Sequence, residues 1–257
     1  MVKGLYTAWT GMVNQQNRMD VLTNNLANSA TVGFKKEGAT SQAFDDVLAI
    51  KIKDSSDPAR ARGIGTMSLG VKIGENYTDY SQGAFKVTDN TFDLALSGDG
   101  FFACEYTTKS GETSVKYTRD GSFTLNVNGE LVTKDGDFVL DENGDHIVLD
   151  PNKSTTFDQS GAIMQDGDVV GYIQVTDFED YNYLEHFGES YYRPVEGAQQ
   201  TEAPAKVFSG YLEQSNVTVI NEMVELISVS RNYETNQKMI QSIDGTLEIA
   251  ANQLGKI

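Results

Sequence analysis

NVTVINEMVELISVSRNYETNQKMIQSIDGTLEIAANQLGKI, residues 216–257, closes the chain and decides its fold class. Steps of three and four residues connect Val219, Glu222, Leu226, Val229, Tyr233, Asn236, Ile240, Ile243, Leu247, Ala250, Leu254 and Ile257, and only Glu222 and Asn236 interrupt the apolar series. That spacing keeps side chains on one stripe of an α-helix, and held over several heptads it favours a coiled-coil-type seam. Asn216 or Thr218 can cap the first turn, Glu222 and Glu225 sit near its positive end, and Gly255-Lys256 closes the other end. Gly245 is the weak point, costing about 1 kcal/mol against alanine in a helix interior.

The other end of the chain repeats the pattern. Leu5, Ala8, Met12, Gln15, Met19, Leu22 and Leu26 step by three and four, and Trp9 and Val13 widen the stripe. One helix with such a seam buries too little apolar surface to offset the entropy of ordering it. The seams therefore need partners, either each other or copies of themselves. The apolar residues of the N-terminal stretch are spaced rather than continuous, and no A-x-A site follows, so a secretory signal peptide is not expected. No apolar run approaches the ~20 residues of a transmembrane helix.

Between the ends the pattern changes to β. Short apolar runs at residues 92–96, 101–105, 122–127, 129–133, 138–140, 146–149 and 169–176 alternate with Asn128-Gly129, Asp135-Gly136, Asn143-Gly144 and Asp166-Gly167. Such dipeptides are hairpin signals, because glycine supplies the positive φ that these turns need. The runs predict one antiparallel β-domain of roughly 130 residues, large enough for its own core. Residues 44–80 carry weaker signals, and Asp54-Ser55-Ser56-Asp57-Pro58 is a loop by composition. Gly63-Ile64-Gly65 fails as a phosphate loop because Ser68 holds the third glycine position and no βαβ unit surrounds it.

The 257 residues carry a net charge of −17, yet residues 1–45 balance at +1 and residues 211–257 at −3. The acidity thus belongs to the middle, which suits repelled outer surfaces and packed ends. Nucleic acid is not an expected partner, since no basic patch can neutralise phosphates. A catalytic or metal site is not expected either. Cys104 is alone in a strand pattern and reads as a small buried residue. Neither His146 nor His186 has metal-ligand spacing around it. Asp141, Asn143 and Asp145 open like a calcium loop, but His146 stands where its glycine belongs and Asn152 where its bidentate glutamate belongs, so a turn is expected. Tyr181, Tyr183, Tyr191 and Tyr192 beside Phe178 and Phe187 suit packing better than a sugar platform.

Three spaced groups of residues resemble one family. Asn24-Asn25-Leu26-Ala27-Asn28 with Thr31, Gly33, Phe34 and Lys35 is similar to the N-terminal signature of bacterial flagellar rod and hook proteins. Gly210-Tyr211-Leu212-Glu213-Gln214-Ser215-Asn216-Val217, Glu222-Met223 and Arg231-Asn232-Tyr233-Glu234 resemble the matching C-terminal signature. Residues 92–96 with Gly98-Asp99-Gly100-Phe101-Phe102, and Tyr117-Thr118-Arg119-Asp120-Gly121-Ser122-Phe123, resemble central motifs of the rod branch. Ser209 and Tyr211 depart from a block that usually reads Gln-Gly-Phe, and Asn232 replaces a common alanine. Length suits the proximal or distal rod proteins. Tyr6-Thr7-Ala8 and Ala251-Asn252-Gln253-Leu254 resemble the proximal type, whereas Phe101-Phe102 and residues 117–123 resemble the distal type.

The expected architecture is α+β. Residues 1–35 and 211–257 form a helical assembly domain with a coiled-coil-like core, 36–80 a connector and 81–210 a central antiparallel β-domain. The resemblance implies a structural, self-assembling subunit of the flagellar basal-body rod, part of the helical shaft that transmits torque to the hook. Its implied partners are copies of itself, other rod and hook proteins, and the flagellar type III export apparatus, with no insertion into the membrane. The implied location is the basal body, outside the cytoplasmic membrane, reached without a cleaved signal. No cofactor is expected. The expected assembly interface comprises Leu5, Trp9, Met12, Met19, Leu22, Asn24, Asn25, Leu26, Asn28, Gly33, Phe34, Asn216, Leu226, Tyr233, Ile240, Ile243, Leu247 and Leu254. The alternative reading is a β-rich glycan- or ligand-binding module dimerised through its terminal helices.

Overall fold

Helices α1 (Val2–Ala27) and α2 (Val219–Asn252) hold the two ends of the chain, and every strand pairing between them is antiparallel. The computed structural model describes residues 2–51, 62–108, 111–188 and 190–252. The protein is thus α+β with a central antiparallel β-rich domain. Leu254 and the closing Gly255-Lys256 lie outside the described residues, as does the loop at 54–58.

The chain divides into two units. The first takes residues 1–27, 37–79 and 218–257, and so holds both helices. The segment expected as a connector carries four strands of this unit, β1 (Glu37–Ala43), β2 (Val47–Lys51), β3 (Arg62–Met67) and β4 (Val71–Thr78), with β1 pairing β4 and β2 pairing β3. These strands gave little signal in sequence because β1 and β4 are largely exposed on both faces, which removes the alternation that marks a half-buried strand. The Gly63-Ile64-Gly65 stretch lies in β3, where the register shifts opposite Ala49 and Ile50.

The second unit takes residues 28–36 and 80–217. Its spine is the strand Phe101–Thr107, which pairs with Thr113–Thr118, Phe138–Val139 and Val175–Phe178. Successive side chains of a strand point to opposite faces. Phe102 and Cys104 accordingly enter one buried cluster with Leu94, Phe123, Leu131, Val139 and Ile163. Phe101 and Ala103 enter a second with Tyr117, Phe178 and Tyr192. The run Phe-Phe-Ala-Cys is therefore core on both faces.

Six of the seven expected runs contain or overlap strand, five of them a single one, namely Leu94–Ser97, Phe101–Thr107, Thr124–Leu125, Leu131–Val132 and Phe138–Val139. The run at 146–149 makes only isolated bridges, and that at 169–176 splits between Asp168–Tyr172 and Val175–Phe178. Asp166 and Gly167 both take positive φ, 53° and 97°, between the paired strands Ala162–Gln165 and Asp168–Tyr172, the backbone of a type I′ hairpin.

Candidate assembly surface

The two helices meet with opposite polarity. A methyl added to Gly4 of α1 would stand 3.5 Å from Ile243 of α2, and one added to Gly11 would stand 3.1 Å from the Asn236 amide. Seven residues further, Arg18 Nη2 donates to Glu225 Oε1 at 2.7 Å. Seven further again, Asn25 Nδ2 donates to Glu222 Oε2 at 3.3 Å. Glu222 and Asn236, the two polar breaks in the apolar series, therefore both face α1. Gly11 leaves room for one, and Asn25 gives a donor to the other, a carboxylate only 1% exposed.

Exposure along α2 follows the three-and-four spacing. Glu222 and Val229 are buried, while Leu226, Tyr233, Asn236, Ile240, Ile243, Leu247 and Ala250 are half-buried. On α1, Leu22 is buried, Leu5, Met12, Met19 and Leu26 are half-buried, and Trp9 and Asn24 are exposed. The seam of each helix is thus only partly covered by the chain's own residues. α2 also carries a second apolar stripe that sequence reasoning missed. Ile220, Met223, Val224 and Ile227 are exposed by 73, 48, 64 and 51%. They follow i, i+3, i+4, i+7 spacing, so two apolar faces overlap in sequence and neither stands out by period.

The strands of the first unit pack on α1. Asn14, buried, donates to Ser41 Oγ of β1 at 2.9 Å. Gly70, at φ +129°, comes so close to α1 that a methyl there would lie 2.1 Å from Thr10 Oγ1. Beside this contact a groove of about 400 Å³ is lined by Lys3, Tyr6, Thr10, Phe44, Asp45, Val47 and Leu69.

The polar residues after α1 find partners inside the chain. The Asn25 amide pairs in both directions with the backbone of Glu37, accepting from its N–H at 2.9 Å and donating to its carbonyl at 2.7 Å. Asn28 Oδ1 accepts from Thr31 Oγ1 at 3.2 Å. Gly33 has φ +68°, its N–H donates to the Glu213 carbonyl at 2.8 Å, and a methyl on it would lie 2.5 Å from the Arg119 backbone. Phe34 is 2% exposed. Asn216 Oδ1 accepts from the Lys36 N–H at 2.7 Å, and its amide donates to Ser81. The first intrahelical acceptor of α2 is the Thr218 carbonyl, bonded by the Glu222 N–H.

A buried ion cluster lies next to Gly33 and Phe34. Glu213 Oε1 accepts from Lys35 Nζ at 2.6 Å and from the Gly83 N–H at 2.9 Å, while its Oε2 accepts from Arg119 Nη1 at 3.2 Å. All three charged side chains are at most 3% exposed. Lys35 also donates to the Ser81 carbonyl and Arg119 to that of Gly98. Each member sits in one of the three family-like groups of residues. No local spacing predicts their meeting, because 178 positions separate Lys35 from Glu213 and 94 separate Arg119 from it.

The remaining candidates have structural surroundings. Cys104 is fully buried, and burial pushes its thiol far up from the ordinary range. Tyr191 and Tyr192 are core residues, the former donating to Asp137 Oδ2 at 2.7 Å. Asp141 sits in a turn, its carbonyl accepting from the Gly144 N–H. Among the described residues no group of three or more His, Cys, Asp or Glu is placed to hold a metal ion, and no helix is long and apolar enough to cross a membrane.

Two terminal helices that meet along partly covered seams suit a structural assembly subunit. Comparison with known proteins supplies the family. Three family models match: "Flagella basal body rod protein" over residues 5–35, "Flagellar hook protein FlgE/F/G D1 domain" over 95–177 and "Flagellar basal body rod FlgEFG protein C-terminal" over 209–254. The chain is 32% identical to the flagellar hook-basal body complex protein FlhO of Bacillus subtilis, over all of both chains. It is 35% identical to the flagellar basal-body rod protein FlgG of Caulobacter vibrioides, over 98% of this chain and 99% of that one, and 33% identical to FlgF of the same organism over all of both. The chain belongs to the flagellar basal-body rod family, whose members are structural subunits and not enzymes. It is a component of the flagellar basal body, where it assembles with other rod and hook proteins. Nothing among these relatives supports a glycan-binding module.

Proposed function

We propose that the chain is an axial subunit of the rod, built into a helical shaft that carries torque to the hook. The observation that carries this reading is the α1–α2 seam. Its contacts recur every seven residues along α1, as in a coiled coil, although their partners on α2 are unevenly spaced, and its apolar residues stay half-exposed in the single chain. In the shaft, neighbouring subunits cover Leu5, Met12, Met19, Leu226, Tyr233, Ile240, Ile243 and Leu247. Trp9 and Asn24 join this interface, while Asn25, Asn28, Gly33, Phe34 and Asn216 also make contacts inside the chain. Open, head-to-tail contacts between copies generate a tube rather than a closed ring. The subunit reaches its place through the flagellar type III apparatus without a cleaved signal.

The test is to fuse a small epitope to an exposed turn of the β-rich unit, purify intact basal bodies and label them. Label along the rod between the export gate and the hook is expected. Label confined to the cytoplasm or to the filament would overturn the assignment. Intact mass of the assembled subunit reports on cleavage at its N-terminus.

A further inference from the structure

Among the described residues, two apolar surfaces of the helical unit are left uncovered, and they lie well apart along it. One is the groove at the start of α1, where Tyr6, Phe44, Val47 and Leu69 are 58, 37, 50 and 38% exposed. The other is the stripe Ile220, Met223, Val224 and Ile227 at the start of α2. The helices are antiparallel, and Glu222 stands level with Asn25. From Tyr6 to Asn25 the helix climbs roughly 28 Å at 1.5 Å per residue. The stripe also points away from α1, roughly 150° round α2 from Glu222 at about 100° per residue. Neither surface can therefore cover the other within one chain.

We infer that the α2 stripe of one subunit docks in the α1 groove of a second copy of this chain. The inference rests on the reading of the protein as a self-assembling subunit and names the surfaces that do it. One surface is concave and the other a convex helix face, and both are apolar. The groove carries two charged residues, Lys3 and Asp45, and Asp45 is the one that Arg231, exposed and one turn beyond Ile227 on the line of the stripe, would pair with. Because the two surfaces differ and lie well apart, each docked pair leaves one groove and one stripe free. The contact is heterologous, and left open it adds subunits one after another. Gly70 is a positioning residue here. Its close approach to Thr10 sets the strand that carries Leu69 against α1, and any larger side chain would push that wall away.

The test uses full-length chains with one surface removed at a time, Leu69→Asp in the groove and Ile227→Asp in the stripe. Sedimentation velocity follows association, and circular dichroism confirms that each variant keeps its helices. Wild type is expected to form a ladder of growing species. Each variant alone is expected to stay monomeric, and an equimolar mixture to stop at a heterodimer, in which the intact stripe of one fills the intact groove of the other. Val224→Asp should behave as Ile227→Asp does. A mixture that stays monomeric while wild type associates overturns the pairing of these two surfaces, as does a folded variant that associates like wild type or a wild type that never associates. Such a failure leaves epitope label on the rod untouched, so it is distinguishable from failure of the rod assignment.

Discussion

Glu213 joins three motifs that lie far apart in the chain, and its environment makes it the residue on which their buried cluster depends. Two cations converge on a carboxylate that is 1% exposed, and backbone groups of Gly83, Ser81 and Gly98 complete the cluster. Removing one partner of such a buried cluster leaves uncompensated charge and costs about 3–5 kcal/mol. Glu213→Gln should accordingly lower the thermal midpoint of the β-rich unit markedly, measured by calorimetry. The triple change Lys35→Met, Arg119→Met, Glu213→Leu should be much milder than the single one, because no charge is then stranded. Equal losses would show that the cluster works through shape rather than charge. Gly33 is the second sensitive point. Gly33→Ala places a methyl 2.5 Å from backbone atoms of Arg119 and Asp120 at a φ of +68°, which no side-chain rotation relieves. Loss of stability of at least the ~1–3 kcal/mol typical of a strained backbone is expected in urea titration.

At the scale of elements, what was legible in the sequence depended on whether the signal is local. Helical periodicity is local, so the three-and-four series of α2 could be read from sequence, and from Glu222 to Ala250 its positions are buried or half-buried. The hairpin dipeptides are local too, and Asp166-Gly167 turns as its residues require. Strands β1 and β4 were illegible because most of their residues are exposed and carry no sustained alternation. The meaning of Glu222 and Asn236 was illegible for another reason. As interruptions of an apolar series they look like flaws, and only the position of Asn25 and Gly11 shows them to be matched contacts that fix how the helices register. A polar residue in such a seam can set register at some cost in stability. Ile240→Asp tests the seam itself. A carboxylate there would be buried without a partner once subunits pack. Assembly and swimming should be lost, while circular dichroism of the β-rich unit stays unchanged. Normal swimming with this variant would show that the face is not covered in the rod.

At the scale of the whole molecule, the two units are built on different terms. The β-rich unit closes its own core, with Phe102, Cys104, Phe123, Leu131, Val139 and Ile163 each essentially inaccessible to solvent. The helical unit encloses far less, since most of its seam is only half-buried and Tyr6, Trp9, Ile220 and Val224 are more than half exposed. A helix in water draws most of its stability from packing one face against a partner. The single chain supplies each helix with part of that partner, and the assembled shaft supplies the rest. Stability within the unassembled chain should therefore be uneven, and amide hydrogen exchange reads that directly. In dilute monomer, amides of Phe101–Thr107 and Thr113–Thr118 should exchange far more slowly than those of residues 230–252. In purified rods the difference should largely vanish, with the gain concentrated on α2 and on the first three turns of α1. If residues 230–252 are protected in the monomer as strongly as the central strands, the α1–α2 pair is self-sufficient. Assembly would then be the docking of finished surfaces rather than the step that completes the helices.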